Sequence, residues 1–220
     1  REKAWDDEEK AWDDEEKALE LNNAGVDFFE QEKFGEALAC FNASILLNPE
    51  DEVGWGHKGT SLHYLEKYGD AIKCFDEAIR LDPQYYDAWN WKGMSLHYLE
   101  KYGDAIKCFD EAIRLNPQYY DAWNWKGMSL HYLEKDGDAI KCFDEAIRLN
   151  PQHDGAWYNK GTVLLELENY EDSLTCFNKS IMINSNCSNC WHNKGVLFEE
   201  LERDEEAEQC FAKVKELQQS

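Results

Sequence analysis

Residues 86–119 read YDAWNWKGMSLHYLEKYGDAIKCFDEAIRLNPQY, and residues 120–153 read YDAWNWKGMSLHYLEKDGDAIKCFDEAIRLNPQH. The two stretches of 34 residues differ at two places, Tyr102 against Asp136 and Tyr119 against His153. Extending the period in both directions gives six units in the chain of 220 residues: 18–51, 52–85, 86–119, 120–153, 154–187 and 188–220. A strict period of this length describes a stack whose units contact only their neighbours, not a globule around one core.

Counting each unit from 1, position 4 is Leu21, Trp55, Trp89, Trp123, Trp157 and Trp191, and position 8 is Gly25, Gly59, Gly93, Gly127, Gly161 and Gly195. Position 11 is Phe28, Leu62, Leu96, Leu130, Leu164 and Phe198. The spacing 4, 8, 11 places one residue per turn on a single helical face. Glycine weakens a helix by up to about 1 kcal/mol, so its return in every unit implies that another backbone approaches closely there. A second helix carries Ala37, Ala71, Ala105, Ala139, Ser173 and Ala207 at position 20, and Phe41, Phe75, Phe109, Phe143, Phe177 and Phe211 at position 24. Position 27 is small again, with Val214 the exception. Small–large–small is a knob between two gaps, suited to the glycine face of a neighbour. Pro49, Pro83, Pro117 and Pro151 at position 32 stop each second helix. Ser185 takes that place in the fifth unit, where a looser junction is expected.

The composition is 43% apolar and 14% aromatic, too rich in large side chains for a disordered chain despite a net charge of −23. That charge repels polyanions, which excludes nucleic acid and anionic membrane surfaces as partners. No apolar run reaches the roughly 18 residues needed to span a bilayer, and no secretory signal precedes the repeats. The expected compartment is the cytoplasm.

Six of the eight cysteines, Cys40, Cys74, Cys108, Cys142, Cys176 and Cys210, recur at position 23. Equivalent points on stacked units lie at least roughly 8–10 Å apart, beyond the reach of a disulfide. These six are expected to be small buried hydrophobes in a reducing compartment. Cys187-Ser-Asn-Cys190 has the spacing of a redox couple or of half a metal site. Cys190 also falls where other units carry Ala88, Ala122 and Ala156, which favours a small packing residue, with Cys187 the more reactive thiol.

In order and spacing these positions resemble the tetratricopeptide repeat, W-x2-L-G-x2-Y…A-x3-F…P over 34 residues. The resemblance covers residues 18–220. Two departures stand out: Lys58, Lys92, Lys126, Lys160 and Lys194 at position 7, where the family prefers Leu, and Glu at position 15 in all six units, where Gly is usual. The resemblance implies an all-α fold, a right-handed superhelical solenoid of antiparallel helix pairs whose first helices line a concave groove. It implies a scaffold that holds an extended or helical peptide of another protein and needs no cofactor. No nucleophile–base set, phosphate loop or four-ligand metal cluster points to an enzyme.

Positions 2, 5, 9 and 12 of the first helices face away from the 4–8–11 stripe and are expected to line that groove. They supply Asp87, Asn90, Met94 and His97, then Asp121, Asn124, Met128 and His131, with Thr60 and His63 before them and Tyr158 and Thr162 after. Amides serve a peptide backbone as donor and acceptor, Met adapts to varied side chains, and the His row titrates near neutrality. Nearly copied repeats would also produce such a row through duplication alone. Co-chaperone members of the family grip a terminal carboxylate with Lys at position 5 and Asn at position 9. This chain has Asn22 and Val26 there, then Gly56 and Thr60, so that clamp is missing.

Residues 1–17 are an acidic extension in which Lys3–Glu9 recurs as Lys10–Glu16, expected to continue as helix into the first unit. Trp5, Trp12 and Leu19 would share one side, with Lys3–Asp7 and Lys10–Asp14 as i, i+4 pairs. The chain begins at Arg1, as a processed protein or a fragment would. Phe211 and Val214 are expected to lack a covering unit, which gives a second reading: a self-assembling module pairing through its terminal helices. A third reading is an engineered or recently duplicated array with no evolved ligand.

Overall fold

The computed structural model describes the backbone of residues 2–219 and the side chains of residues 13–219. The described residues form helices and connecting turns, in two compact units, Arg1–Asn116 and Pro117–Ser220. The first holds α1 (Glu2–Glu30), α2 (Phe34–Leu47), α3 (Glu52–Tyr64), α4 (Tyr68–Leu81), α5 (Tyr86–Tyr98) and α6 (Tyr102–Leu115). The second holds α7 (Tyr120–His131), α8 (Asp136–Leu149), α9 (Asp154–Glu166), α10 (Tyr170–Ile183), α11 (Ser188–Glu200) and α12 (Asp204–Leu217). Each repeat is one helix pair. In the first unit α2 also packs on α3 and α4 on α5, with α1, α3 and α5 side by side; α7–α12 repeat that plan in the second. The acidic extension continues without a break into α1. Trp5, Trp12 and both proposed ion pairs lie outside the described side chains.

The recurring glycine meets a ring, not a backbone. A Cβ on Gly59 would lie 2.5 Å from Phe75 Cε1, and one on Gly93 would lie 2.6 Å from Phe109 Cε1. Each Phe comes from the second helix of the same repeat, so the knob fills the notch of its own pair. Phe75, Phe109 and Phe177 are fully buried, a burial that stabilises by about 1.5–3 kcal/mol each. The flanking small positions bring the second helix onto the first helix's backbone. Ser173 Oγ donates to the Gly161 carbonyl at 2.7 Å, and Ser44 Oγ donates to the Ala18 carbonyl at 2.7 Å. Alanine at these places fits the same gap with no bond to make.

Two of the position-7 lysines tie neighbouring repeats within a unit. Lys92 Nζ lies 2.6 Å from Asp76 and 5.5 Å from the centre of the Trp89 ring; Lys160 reaches Asp144 in the same way at 2.6 Å. The Trp at position 4 donates its Nε1 proton to the carbonyl two residues past the preceding helix, from Trp55 to Pro49 at 2.9 Å and from Trp191 to Ser185 at 3.1 Å. At the Ser185 junction the helix stop is kept without proline: α10 ends at Ile183, and Asn184 is extended as Asp82 is before Pro83.

Five of the six periodic cysteines are buried, while Cys40 is only half-buried. Burial pushes the Cys74, Cys108 and Cys176 thiols up to about 11, so they remain protonated packing groups. Cys190 is fully buried as a small residue, but it is not a free thiol. It is bonded to Cys187, with the two Cα atoms 5.3 Å apart, a distance two residues one helical turn apart can meet. Cys187 Sγ also accepts from the Cys190 N–H, capping α11. Among the described residues no cluster of ligands suits a metal ion.

Glu32, Glu66, Glu100, Glu134, Glu168 and Glu202 all adopt positive φ, between 56° and 59°. Each closes its first helix: Glu66 N–H donates to the His63 carbonyl and Lys67 N–H to that of Leu62, the double bond of a left-handed helix stop. A side chain in this conformation costs about 1–2 kcal/mol that glycine avoids. Changing Glu66 to Gly is expected to raise the urea unfolding midpoint by an amount equivalent to about 1 kcal/mol. An unchanged or lower midpoint would show that the carboxylate returns what the backbone loses.

Candidate functional site

The face formed by the first helices is where the sequence places a groove, and the two units use it differently. In α3 and α5 it is closed. His63 and His97 are each 7% exposed, and Asn90 is 2% exposed. His63 is walled by the rings of Tyr64, Tyr68, Trp91 and Tyr98. Ser95 Oγ spends its proton on the Trp91 carbonyl, so its lone pair accepts from His63 Nδ1 at 2.9 Å. That contact fixes the neutral Nδ1–H tautomer. The expectation of an open, titrating His row is therefore corrected here: both rings are buried, and His63 joins its repeat to the next. Ser61 has no such partner, and its buried hydroxyl is unsatisfied, because the preceding repeat has Phe29 where later ones have histidine.

Burial lowers the His63 and His97 pKa values from 6.5 to about 4. Both rings stay neutral in the folded chain and take up a proton on unfolding, so their contribution is whole above pH 6.5 and is lost as the pH falls toward 4. The slope is limited to about 1.4 kcal/mol per pH unit for each ring. Urea unfolding at pH 7 and pH 5 should show a smaller difference in a His63→Gln/His97→Gln variant than in the parent; equal differences would remove the histidines as the cause.

The position-5 amides are likewise turned inward. Asn124 is 6% exposed, and its Oδ1 accepts from Asn159 Nδ2 of the next repeat at 3.0 Å. His57 and Asn22 make the same rung at 3.0 Å. Asn193 donates to Tyr158 Oη at 3.3 Å and to Thr162 Oγ1 at 3.2 Å. Asn90 Nδ2 lies 3.6 Å from Met94 Sδ. Asn90 and Asn124, expected to be open to a peptide, are buried between helices instead. Asp87, Thr60 and Met94 are half-buried in the first unit. Asp121 is half-buried too and faces His153 Nε2 at 3.3 Å.

In the second unit the same face opens into a cavity of about 400 Å³ between α7 and α9. Four of the expected residues line it, Met128, His131, Tyr158 and Thr162, together with Tyr132, Phe143, Asn159, Val163 and Glu166. Two substitutions account for the opening. The Tyr that covers His63 in its own repeat, Tyr68, is here Asp136, and the Ser that holds His63 from the next repeat, Ser95, is here Val163. His131 accordingly swings to Asp136, with Nδ1 2.7 Å from Oδ1, and its Nε2 faces Glu166 Oε2 at 3.5 Å. Its side chain is 23% exposed. The second copied-unit difference works in parallel: His153 Nδ1 accepts from the Ala156 N–H at 2.8 Å and caps α9, which Tyr119 cannot do for α7. Asp136, Glu166, Asn159 and Val163 were not among the expected residues. Of these only Asp136 carried a signal, as one of the two positions at which the copied units differ.

The family model described as tetratricopeptide repeat matches residues 53–85, 86–119, 120–153 and 155–187, and a second model of that description matches 188–220. Comparison with curated proteins finds no match. Among solved structures, the chain is similar to one in the APC/C hetero-tetramer Cut9-Hcn1, at 19% identity and TM-score 0.84 over 92% of this chain. It spans 40% of that chain. PilF of Pseudomonas aeruginosa is similar over 93% of both chains, at 14% identity and TM-score 0.80. YrrB, described as a TPR protein with an unusual peptide-binding site, is 23% identical with TM-score 0.61, over 82% of this chain and 93% of its own. Residues 18–51 lie outside the family matches, yet they carry the Gly25–Phe41 notch and the left-handed Glu32 of the other repeats.

Proposed function

Because the chain belongs to the tetratricopeptide repeat family, we propose that it is a protein-interaction scaffold that holds a peptide segment of a partner against its first helices, in the second unit. The observation that carries this is the cavity between α7 and α9: apolar walls, a few convergent polar groups and an open mouth, the usual composition of a ligand site. The peptide-binding site named for YrrB, which has a similar fold, supports the reading. Burial of Asn90, Asn124, His63 and His97 moves the contact residues of the proposal to Met128, His131, Tyr158 and Thr162. No helix among the described residues is long and apolar enough to cross a membrane.

Random dodecapeptides displayed on phage and selected on the full chain test this. Selected peptides should bind a Met128→Ala/Tyr158→Ala variant at least about tenfold more weakly, the loss of one central anchor. Asn124→Ala should cost stability through its rung to Asn159 and leave affinity nearly unchanged. Affinity lost with Asn124 and kept with Met128 and Tyr158 would sink the proposal.

A further inference from the structure

His131 is chemically unlike the other histidines of this face. A carboxylate only accepts, so the 2.7 Å contact with Asp136 Oδ1 puts the proton of a neutral ring on Nδ1. In that neutral form the lone pair of Nε2 points toward the Glu166 carboxylate at 3.5 Å, two acceptors facing each other at the mouth of the cavity. His153 has no such conflict: Nδ1 accepts from a backbone N–H, and Nε2 carries the proton toward Asp121. His63 has none either, since its environment is rings and one hydroxyl. A donor for Nε2 and Glu166 completes that arrangement, either a second proton on the ring itself or a cationic group held beside both. No Lys or Arg lines this cavity, whose remaining walls are Met128, Tyr132, Phe143, Tyr158, Asn159, Thr162 and Val163.

We propose that the missing donor is the side chain of a lysine or arginine from the bound segment. Its cationic head lies beside Glu166 and His131 Nε2, and its aliphatic stem lies along Met128 and Val163. A long cationic side chain matches both halves of the cavity, since its methylenes bury against apolar walls while the head is held by charge-assisted hydrogen bonds. The net charge of −23 favours a basic partner over long range as well. This assignment rests on the proposed function and specifies what the groove selects.

The test is NMR of the full chain labelled in its histidine rings, with the His131 signals assigned by their loss in His131→Gln. The probes are the capped tripeptides acetyl-Gly-Lys-Gly-amide, its arginine counterpart and its norleucine counterpart. The lysine and arginine probes should shift the His131 ring signals saturably, and norleucine should not. Glu166→Gln should weaken the response about tenfold, the usual loss of one charge-assisted bond. Asp136→Tyr, which restores the arrangement that the fold already accepts at Tyr68 and Tyr102, should abolish it. Equal shifts from all three probes would mean a groove without cation selection, which overturns this inference and leaves the scaffold standing. No shift from any probe would mean that His131 itself supplies the donor as an imidazolium between its two carboxylates, and the inference falls. Failure of the peptide selection, by contrast, removes the groove reading.

Discussion

Replacing Phe109 by alanine is expected to lower the unfolding free energy by about 3–5 kcal/mol. The ring is fully buried in α6 and occupies the notch that Gly93 leaves in α5. On its own helix it stands between Ala105 and Ala112, both fully buried. Alanine has no rotamer with which to fill a void, so the lost space stays empty and the cavity adds to the loss of apolar burial. Urea unfolding followed by far-ultraviolet circular dichroism measures this. A loss under about 1.5 kcal/mol would mean that the helix pair collapses onto the gap.

The complementary change, Gly93→Val, should be destabilising even though the helix backbone itself prefers almost any residue to glycine. Removing a mid-helix glycine gains up to about 1 kcal/mol. Against this, the new Cβ would sit 2.6 Å from Phe109 Cε1 and 2.9 Å from Cδ1, closer than such atoms approach. The ring is enclosed, so overpacking should win by about 1–3 kcal/mol. Combining Gly93→Val with Phe109→Leu should cost less than the sum of the two single changes, the mark of groups that share one space. Gly103→Ala is the control, because nothing lies within 4 Å of its would-be Cβ. If Gly93→Val proves as mild as Gly103→Ala, or the pair of changes is simply additive, the notch does not hold the repeat together.

These two results concern a feature that the period announces without describing. Spacing at 4, 8 and 11 marks one helical stripe, and the recurring glycine marks a close approach on it. What approaches is a property of the partner surface: a phenylalanine ring of the same repeat. The glutamates at position 15 show a similar limit. Their place after the first helix is readable, but only the backbone reveals φ near 58° in each of them.

For the functional face, the helical period could say which residues turn away from the glycine stripe. It could not say that the next repeat's first helix covers part of that surface. Asn124 and His63 lie on the expected face and are nevertheless consumed by Asn159 and Ser95, each 32 or 35 residues onward. Cys187 and Cys190 likewise had a readable spacing, while their bond depends on where the start of α11 sets the two sulfurs.

The sequence by itself determined the repeat, its 34-residue length, the helix pair in each copy and the residues that pack it, because burial on a regular helix repeats with the backbone's own period. Only the tertiary structure decided which of the near-identical repeats is open. His63, His97 and His131 occupy one position in three copies, and what distinguishes them lies on other helices. One is the Tyr or Asp at the start of the repeat's second helix, the other the Ser or Val on the next repeat's first helix. A side chain's environment is set by whatever is packed against it, and for His131 those neighbours replaced a ring and a hydroxyl with a carboxylate and a cavity.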